Sequence, residues 1–185
     1  KYAAAKADGF FDGEIHAVTV PGGRKQPDTV VEEDEFPRPD TQIEKLAALR
    51  TLNPSGVTTA ANASGLNDGA VAMVVASQSA GESVGETPLV RILSSGVAGV
   101  PPRIMGYGPV PAAEIALKRA GLTMADMDVI EINEAFAAQV LACLKGMGIA
   151  FDDSRVNPNG GAITVGHPLG ASGPRIALTA ARQLR

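Results

Sequence analysis

The second half of the chain alternates between short apolar segments and helix-forming segments, and this order limits the possible folds more than any other feature. Residues 109–120 predict a helix that starts with prolines in its first turn. Residues 128–132 predict a short strand, and 133–147 a helix with its apolar side chains along one face. A glycine-rich loop, 157–173, follows, and Pro174 is expected to open the last helix. Strand, helix, loop and helix in this order indicate an α/β architecture.

The first half shows weaker regularity. Residues 15–20 predict a short strand, and Thr41 with Glu44 has the spacing of a capping box at the start of a helix. The nearly unbroken apolar run 70–76 predicts a strand covered on both faces, as in a parallel or mixed sheet. Residues 88–100 predict a second strand region. Both runs favour the same α/β class.

Length, composition and charge exclude several classes of protein. The chain has 185 residues, 45% of them hydrophobic, which suits one globular domain, or one domain and part of another. Its 20 acidic and 16 basic residues give a net charge of −4, which argues against a nucleic-acid partner. No apolar run reaches the roughly 18–20 residues of a membrane helix. Because no signal peptide is visible either, we expect a cytoplasmic protein without a membrane partner.

The single cysteine and the two chain ends add two further expectations. One cysteine cannot form an internal disulfide or a structural zinc cluster, and we expect no metal site. Residues 2–7 predict a helix directly after Lys1, and 176–185 predict a helix with no stop signal after it. We therefore expect an internal fragment of a longer protein.

Asn133 and His167 are the candidate catalytic residues. Asn133 lies where a strand is predicted to end and a helix to begin, a place where α/β proteins bind ligands. On position alone, a helix N-cap is the favoured alternative. His167 lies between Gly166 and Pro168, in a setting that suits a base or a hydrogen-bond donor. For a lone loop histidine, a structural or solvated role is the favoured alternative.

Two other motifs do not support a catalytic or phosphate-binding role. Residues 161–166 have the glycine spacing of a P-loop, but His167 and Pro168 follow where a P-loop needs lysine and a hydroxyl group. Cys143, the only thiol, lies in the middle of a predicted helix on its apolar stripe. Activated cysteines lie at helix N-termini or beside cations, so Cys143 is expected to be a packing residue.

Three segments, taken together, resemble the thiolase family. Residues 133–139 (Asn-Glu-Ala-Phe-Ala-Ala-Gln) resemble its Asn-Glu-Ala-Phe segment, and 157–173 resemble its Gly-His-Pro loop. Residues 62–69 (Asn-Ala-Ser-Gly-Leu-Asn-Asp-Gly) resemble its coenzyme A-contacting segment. The segments occur in the family's order, and the similarity extends over the whole chain.

The resemblance implies an α/β fold, the layered αβαβα thiolase fold built from two similar halves and present here only in part. Residues 1–55 would form the coenzyme A-binding loop region, and 56–87 the end of the N-terminal half. Residues 88–185 would form the C-terminal half in truncated form.

The resemblance also implies a reaction and a set of site residues. The reaction is thiolysis of a 3-oxoacyl-CoA to acetyl-CoA and a shortened acyl-CoA, or the reverse Claisen condensation, through a cysteine acyl-enzyme. His167 would activate that cysteine and help hold the thioester oxygen, and Asn133 would fix a water in the same oxyanion site. The coenzyme A-binding residues implied are Ser64 at the pantetheine arm, Arg38 near the adenine-phosphate end, and Ala60; the acyl-pocket residues are Met105 and Phe136.

Both catalytic cysteines of the family would lie outside the chain, so we expect this chain alone to be inactive. Coenzyme A is expected as a substrate and not as a permanently bound cofactor. The full-length protein is expected to be a homodimer or homotetramer in fatty acid metabolism, acting on an acyl chain of open length. The alternatives are a non-catalytic relative that binds acyl-CoA or lipid, and a ketoacyl synthase-like relative. The Asn-Glu-Ala-Phe and Gly-His-Pro pair favours a thiolase over the latter.

Overall fold

The computed structural model describes residues 1–185. It contains α-helices and one antiparallel β-hairpin, in which Thr19 lies opposite Val30. It also contains two 3₁₀ helices, at Pro102–Tyr107 and Met124–Asp126. None of its helices combines the length and the hydrophobicity that a membrane-spanning segment needs. The strands are β1 Val18–Val20 and β2 Thr29–Val31, and the α-helices are α1 Tyr2–Ala7, α2 Ile43–Ala47, α3 Gln78–Ser83, α4 Pro109–Ala120, α5 Ala137–Gly146, α6 Ala162–Val165 and α7 Leu169–Gln183.

The core lies between α4 and α5. The α4 helix has the predicted bounds, and Gly121 ends it in the left-handed conformation at φ +69°. Residues 130 and 156 form a parallel bridge beside these helices. This bridge is the only strand pairing observed within the strand predicted over 128–132. The buried side chains of this cluster are Val110, Ile132, Val140, Cys143, Leu144, Ile149 and Val156.

The last helix begins earlier than predicted. The α7 helix starts at Leu169, so Pro174 lies inside it and does not open it. A proline disfavours helical backbone in the preceding residue through contacts with that residue's Cβ, and Gly173 has none. Pro174 therefore removes one backbone donor without ending the helix. The loop before α7 also contains the short helix α6, which was not predicted.

Two predictions in the first half need correction. The strand predicted over 15–20 is limited to β1, because backbone bonds such as Glu14 N–H to Phe11 O hold the preceding residues in turns. Thr41 does not cap α2, since its hydroxyl donates to the carbonyl of Arg38 at 2.6 Å and the N-cap is Gln42. The capping box was therefore wrong, although a helix does follow.

The two predicted strands 70–76 and 88–100 are not strands in the structure. Both runs lack strand partners, and their side chains face solvent instead of being covered on both faces. A buried strand depends on neighbouring strands, and no segment of this chain takes that place. The exposed apolar side chains in these runs are Met73, Val74, Val75, Leu89, Val90, Ile92, Leu93 and Val97.

Candidate active site

Asn133 and His167 lie in contact, although 34 residues separate them in the sequence. Nδ2 of Asn133 is 3.3 Å from Nε2 of His167, and both side chains are half-buried. Oδ1 of Asn133 is buried and has no hydrogen-bond partner in the chain. The contact uses one N–H of the carboxamide, so a second N–H and an acceptor oxygen are available to other groups.

Asn133 is not a helix N-cap. The α5 helix begins at Ala137, with Phe136 as its N-cap in extended backbone conformation. Residues 133–136 instead pair with the 62–69 segment, through an antiparallel bridge between Ala63 and Phe136. This tertiary pairing delays the helix and leaves the side chain of Asn133 free to face His167.

Ser172 holds the other side of the His167 ring, and the sequence alone did not identify it. Its hydroxyl lies 2.6 Å from Nδ1 of His167 and 3.3 Å from the carbonyl of Pro168. If the hydroxyl donates to that carbonyl, its oxygen accepts from Nδ1–H, and Nε2 then carries the lone pair. In this tautomer Nε2 accepts the N–H of Asn133, and its lone pair is the one that a general base needs. Ser172 is 2% exposed, so its contact with Nδ1 of His167 is shielded from water.

The 62–69 segment forms hydrogen bonds both with the segment that carries Asn133 and with the loop that carries His167. The backbone N–H and the hydroxyl of Ser64 both donate to the carbonyl of Ala135, at 3.0 and 3.3 Å. The backbone N–H of His167 donates to the carbonyl of Gly65 at 3.3 Å. Ser64 therefore bonds to the backbone two residues from Asn133, and its contact with the pantetheine arm of coenzyme A stays a prediction.

The other predicted coenzyme A residues are less closely connected to the pair. Arg38 donates to the carbonyls of its own loop and stacks over the ring of Phe36 at 5.9 Å. That ring packs against Gly65, so the loop of Arg38 borders the 62–69 segment. Ala60 is exposed on the surface.

The structure does not gather the two predicted acyl-pocket residues into one cavity. Met105 is 78% exposed and Phe136 is 47% exposed. An open hollow of about 340 Å³ is lined by their sequence neighbours and by neither side chain itself. The lining residues are Ile104, Gly106, Tyr107, Gln139 and Ala142.

Cys143 packs in the core, as predicted. It is 0% exposed, and its thiol donates to the carbonyl of Gly106 at 3.2 Å. Burial raises the pKa of the thiol, so the reactive thiolate is disfavoured. This cysteine is therefore not a nucleophile.

Glu131 is a second group that the sequence did not single out. Burial raises the pKa of its carboxyl group to about 7, which the nearby Arg175 only partly offsets. Both carboxyl oxygens are buried and have no hydrogen-bond partner in the chain. A carboxyl group two residues from Asn133 thus changes charge near neutral pH.

Comparison with known proteins identifies the family of this chain. The family model described as the N-terminal domain of thiolase matches residues 1–79, and the model described as its C-terminal domain matches 86–185. The chain belongs to the thiolase family.

Individual relatives agree with this family. A beta-ketoadipyl-CoA thiolase of Pseudomonas aeruginosa is 56% identical over 97% of the chain and 45% of its own length. An acetyl-CoA acetyltransferase of Escherichia coli is 52% identical, again over 97% of the chain and 45% of its own length. The human mitochondrial 3-ketoacyl-CoA thiolase in complex with CoA matches 100% of the chain and 45% of its own, with 45% identity and a TM-score of 0.90. The chain spans about 45% of the length of these relatives, and its fold is the layered thiolase fold, present in part.

Proposed function

We propose that the whole protein containing this chain is a thiolase-type acyltransferase. It cleaves a 3-oxoacyl-CoA with coenzyme A to give acetyl-CoA and a shortened acyl-CoA, or runs the reverse Claisen condensation. The observation that carries the proposal is the contact between Asn133 and His167, with Ser172 holding the far side of the imidazole ring. Coenzyme A is a substrate in this scheme.

In the first step, a cysteine thiol from outside this chain gives its proton to Nε2 of His167. Its sulfur attacks the 3-keto carbon, and the bond between C2 and C3 breaks to leave an acyl-cysteine and the enolate of acetyl-CoA. A general base of this kind contributes about 10²–10⁴ in rate. C2 of the enolate takes a proton from an acidic group outside this chain, which forms acetyl-CoA. The thiol of a second coenzyme A returns a proton to that group, and its sulfur attacks the acyl-cysteine. The bond between the acyl carbon and the cysteine sulfur breaks, the shortened acyl-CoA leaves, and the cysteine sulfur recovers its proton from Nε2 of His167.

The negative charge in these steps develops on a thioester oxygen, where N–H donors are most effective. Once Nε2 of His167 holds the thiol proton, it becomes such a donor, and Asn133 supplies another through a bound water. Each donor of this kind contributes about 10²–10³ in rate. The pair therefore acts first as a base and then as an oxyanion site.

The remaining predicted residues fit this scheme as substrate contacts. Ser64 contacts the pantetheine arm, Arg38 lies near the adenine-phosphate end, and Ala60 also contacts coenzyme A. Met105 and Phe136 line the acyl pocket. The proximity of Ser64 to Ala135 supports its place beside the catalytic pair. The exposure of Met105 and Phe136 leaves both side chains accessible to a substrate or to the rest of the protein.

We propose that the whole protein is a cytoplasmic homodimer or homotetramer that functions in fatty acid metabolism. The names of the relatives include both beta-ketoadipyl-CoA and acetyl-CoA enzymes, so the preferred acyl group has to be measured. The 185 residues alone are inactive, because their only thiol is buried and protonated.

The experiment is a coenzyme A-dependent cleavage assay on the full-length gene product. Acetoacetyl-CoA and 3-oxoadipyl-CoA serve as parallel substrates, and acetyl-CoA formation is measured by chromatography. Cleavage of either substrate supports the proposal. Tight binding of both without any product would favour the alternative, a relative that binds acyl-CoA without catalysis.

A further inference from the structure

Asn157 occupies an unusual position at the start of the glycine-rich loop. It is 2% exposed, and it is the only residue other than glycine with a positive φ, at +42°. Asparagine tolerates this left-handed region better than most residues, because its short polar side chain can bond to nearby backbone. A buried carboxamide in this conformation requires several partners to offset its desolvation.

The carboxamide of Asn157 finds those partners on both sides of Asn133. Its Oδ1 accepts from the backbone N–H of Ile132 at 2.9 Å, and its Nδ2 donates to the carbonyl of Ile132 at 2.9 Å. The same Nδ2 donates to Oε1 of Glu134 at 2.8 Å. The side chain thus pairs with residue 132 as a neighbouring strand would, and it also holds residue 134.

Glu134 extends this connection to the segment that leads to His167. Its second oxygen, Oε2, accepts from the backbone N–H of Ile163 at 3.1 Å, in the first turn of α6. Gly161 packs so closely against the carboxylate that a Cβ there would collide with it. The α6 helix ends at Val165, two residues before His167, so one carboxylate joins the segments that carry both members of the catalytic pair.

We propose that Asn157 is a positioning residue for the reaction, which rests on the proposed function above. Through the backbone of Ile132 and the carboxylate of Glu134 it holds the residues on either side of Asn133, and so sets the separation between Asn133 Nδ2 and His167 Nε2. It touches neither substrate nor reacting atoms. Its carboxamide is needed because only a group with both a donor and an acceptor can pair with the N–H and the C=O of one residue.

The expected effect is on turnover and not on substrate affinity. A displacement of about 1 Å in a catalytic group costs on the order of 10² in rate. We expect Asn157→Gly to lower kcat by about 10- to 100-fold and to leave the KM for coenzyme A within about twofold. Glycine is the appropriate replacement, because it accepts the positive φ of this position while it removes the side chain.

The test uses the full-length protein and a double-mutant cycle. Asn157→Gly is measured in the wild-type background and in an Asn133→Ala background. Asn157→Asp, which keeps the shape but replaces the donor with a charge facing Glu134, is measured beside it. Asn159→Gly is the matched control, because Asn159 lies in the same loop and its side chain makes an exposed hydrogen bond to Gln183.

If Asn157 acts through Asn133, Asn157→Gly costs at least about 10-fold in the wild-type background and less than about threefold when Asn133 is alanine. Asn157→Asp then follows Asn157→Gly, and Asn159→Gly keeps the parental rate. An equal loss in both backgrounds would overturn the proposal, because a purely structural defect does not depend on Asn133. So would an unchanged rate in Asn157→Gly.

A crystal structure of the Asn157→Asp variant separates this proposal from the proposed function. If Asn133→Ala alone leaves thiolysis unchanged, the proposed function fails, and the distance between Asn133 Nδ2 and His167 Nε2 then decides the positioning role. We expect that distance to lengthen beyond hydrogen-bond range from its present 3.3 Å. A distance unchanged within error would refute the positioning role whatever the kinetics show.

Discussion

Replacing Ser172 with alanine removes the hydroxyl that contacts Nδ1 of His167 at 2.6 Å. The expected loss in kcat follows from the charge that the imidazole ring carries during the reaction. A hydrogen bond from the neutral ring contributes about 0.5–1.5 kcal/mol, and one from the charged ring about 1.5–3 kcal/mol. Only the difference, about 1–1.5 kcal/mol, affects kcat, because the ground state loses the neutral bond as well. Since about 1.4 kcal/mol corresponds to a factor of ten, we expect kcat to fall roughly fivefold to tenfold.

The assay is the initial rate of 3-oxoacyl-CoA thiolysis by the full-length protein, measured over a range of coenzyme A concentrations. The KM for coenzyme A is expected to stay within about twofold, because Ser172 acts through His167 and not on the substrate. Thr179→Val is the matched control, since Thr179 lies on the same helix, is equally buried, and contacts Glu14 instead of His167. An unchanged kcat in Ser172→Ala, or an equal loss in Thr179→Val, would refute the reasoning.

Three further outcomes are expected from the same geometry. Gly166→Ala should destabilise the His167 loop by about 1–3 kcal/mol, measured as a lower thermal midpoint, because of its φ of +94° and the collision with Asn67. The free energy of unfolding should fall as pH rises from 4.5 to about 7, because Glu131 ionises at lower pH in the unfolded state than in the folded state. Glu131→Gln should flatten this pH dependence when the free energy of unfolding is measured by urea titration. An unchanged pH dependence in Glu131→Gln would contradict this prediction. Cys143→Ala should keep kcat within about twofold, since its thiol is buried; loss of thiolysis in a folded variant would make it a participant.

The parts of the fold that the sequence predicted correctly depend on local signals. The α4 helix has the predicted bounds because prolines in its first turn and Gly121 at its end act within a few residues. The start of α5 was predicted four residues too early, because the pairing of Ala63 with Phe136 is a contact between distant segments. The runs 70–76 and 88–100 have the composition of buried strands, but burial requires neighbouring strands that the chain does not place beside them.

The candidate site shows the same division. Asn133 and His167 were identified from their motifs, and the structure brings them together. Ser172 was missed because a serine in a helix carries no local sign that its hydroxyl meets a histidine. Asn157 was missed because its role depends on partners 23 to 25 residues away. Its positive φ also has no signature in the sequence of a glycine-rich loop.

We propose that Asn133 and His167 form the base and oxyanion site of a thiolase. The most direct measurement is the rate of coenzyme A-dependent 3-oxoacyl-CoA cleavage by the full-length protein and by its His167→Ala and Asn133→Ala variants. We expect His167→Ala to lower kcat by at least about 10², and Asn133→Ala by about 10²–10³, in variants that remain folded. Near-wild-type turnover in His167→Ala would contradict the account.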